Sequence, residues 1–314
     1  MTKRRILVTG GHGMVGSALR RTLKNEVAFF PTRVEVDFTD REATRSAFVR
    51  YKPTHVIHLA AKVGGLKDNM DNQSEFFSQN VEMALNVLGT AADYGCEKVV
   101  SLLSSCIFPD QIEYPIEASK LHDGPPHESN FGYAYAKRMV DVYGRTLNQR
   151  LGRTVFVTLV PNNLYGKNDN FNLETGHFIP ALIRKFSEHK ILGKPIVMWG
   201  TGNPEREFTF ADDVARIIMK ALKFYNSEEP LNIGNPKNYR IREVVEMMAS
   251  IAEVDASLIQ WDLMMPDGQM KKPTKVDLKE IGWHNNDFTS LEDGLRETWL
   301  WFLKETSSRI RGIE

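Results

Sequence analysis

The run Ser104-Ser105-Cys106, followed about one helix-length later by Tyr133-Ala134-Tyr135-Ala136-Lys137, holds the side chains best suited to chemistry in this sequence. A Tyr and a Lys at i, i+4 project from one helix face. The ammonium is then placed to stabilise a phenolate and to lower the tyrosine pKa from its unperturbed value of about 10. Tyr133 would thereby become a usable proton donor near neutral pH. Ser104, at the end of a preceding strand, could hydrogen-bond the same carbonyl oxygen that Tyr133 protonates. If that strand end stays extended, residues two apart share a face, so Cys106 would point into the site that Ser104 lines. A cysteine after a strand also serves as a small buried hydrophobe, and a Tyr/Lys pair of this spacing also occurs on solvated helices. The surrounding elements have to decide.

The first of these elements is at the N-terminus. Arg4-Arg5-Ile6-Leu7-Val8-Thr9 reads as a short buried strand running into Gly10-Gly11-His12-Gly13-Met14-Val15-Gly16 and then an amphipathic helix through Leu23. Strand, glycine turn and helix start in that order form a dinucleotide fingerprint, with the pyrophosphate on the helix N-terminus. Two registers fit, Gly11-Gly13-Gly16 and Gly10-Gly13-Gly16. The 2′ position of the adenosine ribose is read near the end of the second strand, where Pro31-Thr32-Arg33 stands. A guanidinium offers paired donors to a phosphate, so Arg33 favours NADP(H) over NAD; Asp37 is the rival ribose contact.

Further along, apolar runs alternate with helical patterns as in successive βαβ units. Strands are expected at 27–30, 55–60, 98–103 and 155–160, with helices near 41–51, 72–94 and 132–150. This is the order of a Rossmann-type, doubly wound parallel sheet. After Pro161 the pattern changes: 162–172 reads as a polar loop, followed by a helix at 179–189, a strand at 196–199 and the turn Gly200-Thr201-Gly202-Asn203-Pro204. Residues 208–210 and a helix at 211–225 are expected to return to the first lobe, and 241–252 and 291–305 to be helices. The predicted organisation is a cofactor-binding domain at 1–165, with a return segment at about 208–235, and a smaller, discontinuous α/β substrate domain at 166–314.

Composition excludes several classes. Lys+Arg and Asp+Glu are equal at 40 each in 314 residues, which gives no basic excess for nucleic acid or an acidic membrane surface. Two cysteines, Cys96 and Cys106, provide neither a disulfide framework nor a metal cluster, so no metal is expected. No signal-peptide core is read at the N-terminus, and no apolar run approaches the roughly 18 residues needed to span a bilayer. A cytoplasmic location is the default. His55 and His58 flank a strand and read as structural, and Met247-Met248 and Met264-Met265 read as core filling.

His58-Leu59-Ala60-Ala61-Lys62-Val63-Gly64-Gly65, Ser104-Ser105-Cys106-Ile107-Phe108-Pro109 and Tyr133-Ala134-Tyr135-Ala136-Lys137-Arg138 carry a finer signature. They are joined by Asn170-Phe171 with Gly176-His177, by Trp199-Gly200-Thr201-Gly202 with Arg206-Glu207-Phe208, and by Pro266-Asp267-Gly268. Over nearly its whole length the chain resembles the extended short-chain dehydrogenase/reductase family. The glycine and Tyr/Lys motifs carry the superfamily alone. The Cys two places after the Ser, with His177, points to the branch that epimerises GDP-4-keto-6-deoxy-D-mannose at C3 and C5 and reduces its C4 ketone with NADPH.

That resemblance implies a catalytic set of Ser104, Cys106, Tyr133, Lys137 and His177, with Cys106 and His177 as the base and acid on opposite faces of the sugar. It implies cofactor contacts from Gly10, Gly11, Gly13, Met14, Val15, Gly16, Arg33, Ala60, Ala61, Tyr133, Lys137, Asn163 and His177, with Asn163 also near the sugar. Lys185, Trp199, Arg206, Asp267 and Lys272 are the implied GDP-sugar contacts, Arg206 and Lys185 chosen for the pyrophosphate by charge. Relatives pair through the Tyr/Lys helix and its neighbour, which implies a homodimer. His12 departs from the Arg that bacterial relatives carry in the glycine loop, which shifts 2′-phosphate recognition toward Arg33. Other nucleotide-sugar epimerases or 4-reductases of the family remain open, as does a non-catalytic dinucleotide sensor. A dehydratase would carry an acid/base pair, often Asp-Glu, where Ser105-Cys106 stands.

Overall fold

Ile6, Leu7 and Val8 are all fully buried, yet Leu7 joins one hydrophobic core while Ile6 and Val8 join another. A strand that is apolar on both faces belongs in a sheet covered on both sides. The computed structural model, which describes residues 4–64 and 66–305, shows that sheet. Gly65 of the signature lies outside the described residues.

In chain order the first elements are β1 (Arg5–Thr9), α1 (Met14–Thr22), β2 (Val27–Phe29), α2 (Arg41–Tyr51), β3 (His55–His58), α3 (Leu66–Asp71), α4 (Gln73–Asp93) and β4 (Lys98–Leu102). Then come α5 (Phe131–Leu151), β5 (Phe156–Pro161), β6 (Asn163–Tyr165), α6 (Phe178–Leu192), β7 (Ile196–Trp199), β8 (Glu205–Phe210) and α7 (Ala211–Phe224). The chain ends with β9 (Leu231–Ile233), β10 (Asn238–Arg240), α8 (Ile241–Ala252), β11 (Ile259–Asp262) and α9 (Leu291–Lys304). A parallel sheet of order β2-β1-β3-β4-β5-β9 forms the centre. α2, α4 and α5 cover one face and α1 and α7 the other. The Rossmann-type α/β fold read from the sequence is therefore present, and the strand order reverses between β1 and β3, where such sheets bind ligands.

The second half departs from the sequence reading in three places. Residues 163–165, read as loop, form β6, because Asn163–Tyr165 pairs with Phe208–Phe210 of β8; that partner is distant in sequence and invisible to local pattern. The stretch 208–210 therefore does not rejoin the first lobe. It lies in a separate sheet β10-β8-β6, and the return is made by α7 and β9. Met264, read as core, is 92% exposed, whereas Met248 is buried. Phe171, Ile179, Phe186, Met198, Phe208 and Trp299 build the third core, around α6, α8 and α9. Among the described residues no helix is long and apolar enough to cross a membrane.

His58 closes β3 at 2% exposure. Its Nδ1 lies 2.9 Å from Thr9 Oγ1, which also accepts from Leu59 N and Ala60 N. Burial, with the neighbouring Lys137 ammonium, pushes its pKa down to about 3. Between about pH 6.5 and 3 the unfolded chain then binds one proton that the native chain does not, so stability falls with acidification at about 1.4 kcal/mol per pH unit from this group. Chemical denaturation at several pH values should show this slope in the wild type and a slope shallower by about one proton in His58→Asn.

Candidate active site

At the mouth of the switch point, backbone crowding dictates the glycines. Gly10 has φ +67°, and a Cβ there would stand 2.7 Å from Ala60 N; at Gly16 a Cβ would meet Gly11 Cα at 2.5 Å. Gly10 thus permits the turn and Gly16 the close approach of helix to loop. At Gly13 a Cβ would find only Gly10 O, at 3.6 Å. Gly13 is also the N-cap of α1, with no side chain capping the helix, so open space and a helix N-terminus coincide. This cradle fits a dinucleotide pyrophosphate. Met14 and Val15 open the helix, and a Cβ at Gly11 would stand 2.7 Å from Phe30 Cδ1.

Around the adenosine end, Arg33 is 76% exposed on its side chain, with Nε 3.8 Å from Asp37 Oδ2. Asp37 Oδ1 is taken by Thr39 N and Oγ1. The sequence did not single out Arg20, whose guanidinium lies over Phe30 at 4.9 Å and 3.0 Å from His12 Nε2. It adds a second cation beside the loop.

Along the sheet edge, β4 stops at Leu102 and leaves Ser104 extended, while Ser105–Ile107 turns into one 3-10 turn. The strand-alternation argument for Cys106 fails, because the strand has already ended. The turn instead carries the Cys106 thiol to 3.2 Å from Ser104 Oγ. Tyr133 and Lys137 enter from the first turns of α5, both buried, with Tyr133 edge-on to Phe76.

Desolvation dominates the titration of this group. Lys137, 3% exposed, is lowered to about 8. Tyr133 is raised well above its usual value by burial and by the nearby Cys106, with the Ser104 hydrogen bond opposing. Cys106 is raised by burial, opposed by Ser104 and then by Lys272. The expected lowering of the tyrosine pKa by Lys137 is therefore absent in the free protein, since removing a phenolate from water outweighs the neighbouring ammonium. Tyr133 holds its proton and is a donor for that reason.

Next to Cys106 lies a cavity of about 160 Å³ bordered by Phe108, Ile112, Tyr114, His127, Gln269 and Lys272, among others. Of these the sequence offered Cys106 and Lys272 as site residues and Phe108 within the signature around Cys106. Tyr114 and His127 come from the long, mostly irregular connection between β4 and α5, whose length is its one functional signal. Arg206 is half-buried, with Nη1 donating to Glu205 O at 2.7 Å, and its neighbour Lys272 is a second half-buried cation. Ala60 and Ala61 follow β3 beside Gly10.

Other candidates are engaged elsewhere or stand apart. Lys185 Nζ donates to Val197 O at 2.6 Å. Asp267 accepts from Thr201 N at 2.6 Å and from Thr201 Oγ1 at 2.7 Å, which fixes the Gly200–Gly202 turn. Trp199 is 63% exposed. Asn163 is exposed and donates to Glu207 O at 2.8 Å. His177 is the exposed N-cap of α6 and does not border the Cys106 cavity.

A family model described as "NAD dependent epimerase/dehydratase family" matches residues 6–234. The chain belongs to that family. It is 40% identical over 310 residues to the GDP-L-fucose synthase of Dictyostelium discoideum, covering 96% of each chain. It is 33% identical over 326 residues to the GDP-L-fucose synthase of Escherichia coli (strain K12), covering 99% of this chain and 100% of that one. Among solved structures, a GDP-L-fucose synthetase from Naegleria fowleri bound to NADP superposes with a TM-score of 0.88 at 36% identity, over 97% of this chain and 94% of the other.

The open space at Gly13 separates folding from cofactor binding. Gly13→Ala should leave the denaturation midpoint of the free protein close to wild type, within about 0.5 kcal/mol. The added methyl should weaken NADPH by roughly tenfold or more, since it fills the close-approach position. Denaturation and a fluorescence titration on the same preparation check both halves.

Proposed function

We propose that this chain makes GDP-L-fucose, by epimerising GDP-4-keto-6-deoxy-D-mannose at C3 and C5 and then reducing its C4 ketone with NADPH. The observation that carries the reading is the Ser104 Oγ to Cys106 Sγ separation of 3.2 Å at the same strand end, beside the buried Tyr133 and Lys137. The long similarity to GDP-L-fucose synthases on three separate lineages supports the substrate.

In this reading Ser104 and Tyr133 hydrogen-bond the C4 oxygen, which makes the C3 and C5 protons acidic by stabilising the developing enolate. Cys106 removes a proton from one face and His177 returns one from the other, first at one carbon and then at the second. Ser104 and Lys272 favour the thiolate against burial. NADPH, when bound, supplies the hydride to C4. Tyr133 then protonates the C4 oxygen, and Lys137 steadies the resulting phenolate. Gly10, Gly13 and Gly16 would hold the cofactor pyrophosphate, and Arg33 with Arg20 the 2′-phosphate. Arg206 and Lys272 are the better pyrophosphate contacts of the substrate. Lys185, Trp199 and Asp267 take part by shaping the second lobe around it.

The division of labour follows the sheets: 1–162 with the return through α7 and β9 for cofactor, and the rest of the chain from β6 onward for the GDP-sugar. Exposed Phe77 and Leu85 on α4 and Val142 on α5 support a homodimer through these helices. Two free cysteines suit a reducing compartment such as the cytoplasm.

Purified protein with GDP-4-keto-6-deoxy-D-mannose and NADPH should yield GDP-L-fucose; product without inversion at C3 and C5 would sink the epimerase half. Cys106→Ser should slow solvent deuterium entry at C3 and C5 by about 10²-fold or more, while reduction of a ketone needing no inversion falls far less. An equal loss of both would make Cys106 structural. Tyr133→Phe should lose about 10²- to 10⁴-fold in reduction with the NADPH affinity retained, as a fluorescence titration would read.

A further inference from the structure

Glu207 is a carboxylate at 2% exposure that the proposed chemistry does not use. It lies on β8 between Arg206, whose guanidinium neighbours Lys272, and Phe208, which packs in the third core. Its two oxygens are spent on one segment and one anchor. Thr274 N donates to Oε1 at 2.9 Å, Thr274 Oγ1 to Oε2 at 2.6 Å, and Asn162 Nδ2 to Oε2 at 3.2 Å. Asn162 follows β5 and is itself fixed by Thr209 and Asn235.

The segment held by Glu207 is the one that delivers Lys272. Residues 270–275 run beside β8: Glu205 N donates to Met270 O at 2.8 Å, and Lys271 Nζ lies 2.7 Å from Glu205 Oε2. Lys272 therefore sits between two fastenings, Lys271 on Glu205 and Thr274 on Glu207, and borders the cavity together with Cys106. On its far side the same segment pairs with Ile116, through Ile116 N to Pro273 O and Lys275 N to Ile116 O, both 2.9 Å. Asn232 Nδ2 adds a bond to Ile116 O at 2.8 Å. The opposite wall of the cavity, which includes Tyr114 and Ile112, leads directly into Ile116.

We infer that Glu207 is a positioning residue: it clamps the 270–275 segment so that the Lys272 ammonium reaches the Cys106 cavity, and through Ile116 it keeps the facing wall in register. The link to turnover rests on the function proposed above, whereas the link to the thiol does not. A buried carboxylate suits the task because it accepts three bonds at once. The glutamine isostere has one acceptor oxygen and turns its NH₂ toward a donor.

Alkylation of Cys106 by iodoacetamide, followed by mass spectrometry on the full chain, reads the placement of Lys272 without any substrate. A nearby ammonium raises the thiolate fraction and hence the rate. Lys272→Ala should slow alkylation of Cys106 by about tenfold at neutral pH. Glu207→Gln should reproduce most of that loss, and the double variant should be no slower than Lys272→Ala alone. Thr274→Ser, which keeps the hydroxyl, should stay near wild type. A folded Glu207→Gln that alkylates at the wild-type rate, or losses that multiply in the double variant, would overturn the inference. Should Glu207→Gln not fold, Thr274→Val removes a single bond and serves in its place with the same outcomes. In the turnover arm Glu207→Gln should raise the KM for GDP-4-keto-6-deoxy-D-mannose about tenfold with NADPH affinity unchanged; equal weakening of both would mean a merely structural role. If wild type turns over no sugar nucleotide, the proposed function fails while the thiol experiment still decides the role of Glu207.

Discussion

Burial of the Lys137 ammonium is the constraint on which the site depends. A charge at 3% exposure is costly to desolvate, and the titratable groups around it, His58, Cys106 and Tyr133, are shifted first by the same burial. His58, at the end of β3, is held neutral by its own burial first and then by repulsion from the Lys137 ammonium. Cys106 and Tyr133 both keep their protons in the free protein, so neither supplies a permanent counter-charge. The site is therefore poised with an ammonium of reduced pKa and two reluctant acids. Negative charge developing on a bound ketone oxygen would relieve the ammonium, and the site becomes most favourable electrostatically when that charge appears.

The sheet makes such burial possible. Its strands are covered on both faces, so their C-terminal ends open into a crevice where loops, and not solvent, surround the functional groups. Gly10 and Gly16 let backbone approach backbone at the β1–β3 switch point, which leaves the space beside Gly13 as the free volume of the loop. Steric economy at two glycines thus defines the place where a phosphate can approach the third.

Much of this is legible in the sequence. β1, α2, α4, α5 and β5 lie within a residue or two of their expected bounds, because apolar periodicity is strong where a helix or strand is buried against a parallel sheet. Legibility fails where pairing is non-local. β6 needs β8 as its partner, and three residues of Asn-Leu-Tyr carry no signal without it. The cavity wall formed by Tyr114, His127 and Gln269 comes from irregular segments brought together by the fold, so residue spacing is silent about them. The Tyr/Lys motif predicted position correctly and electrostatics incorrectly: i, i+4 spacing reports proximity, but depth of burial decides which way a pKa moves.

Cys106 shows how the same limit affects mechanism. Had β4 continued, side-chain alternation would have fixed its thiol rigidly on the Ser104 face. The 3-10 turn at Ser105–Ile107 places the thiol beside Ser104 by a different route, and its surroundings come from the loop wall and the 270–275 segment instead of from the sheet. Ser104, Tyr133 and Lys137 are therefore set by the Rossmann core, whereas the environment of Cys106 is shared between the β4–α5 connection, which supplies most of the cavity wall, and the 270–275 segment, which supplies Lys272. An enzyme that reduces a ketone needs only the first group. Adding stereochemical inversion to the same ketone needs the Cys106 thiol as well, and there the second half of the chain contributes one cation, Lys272, which opposes the rise in pKa that burial imposes.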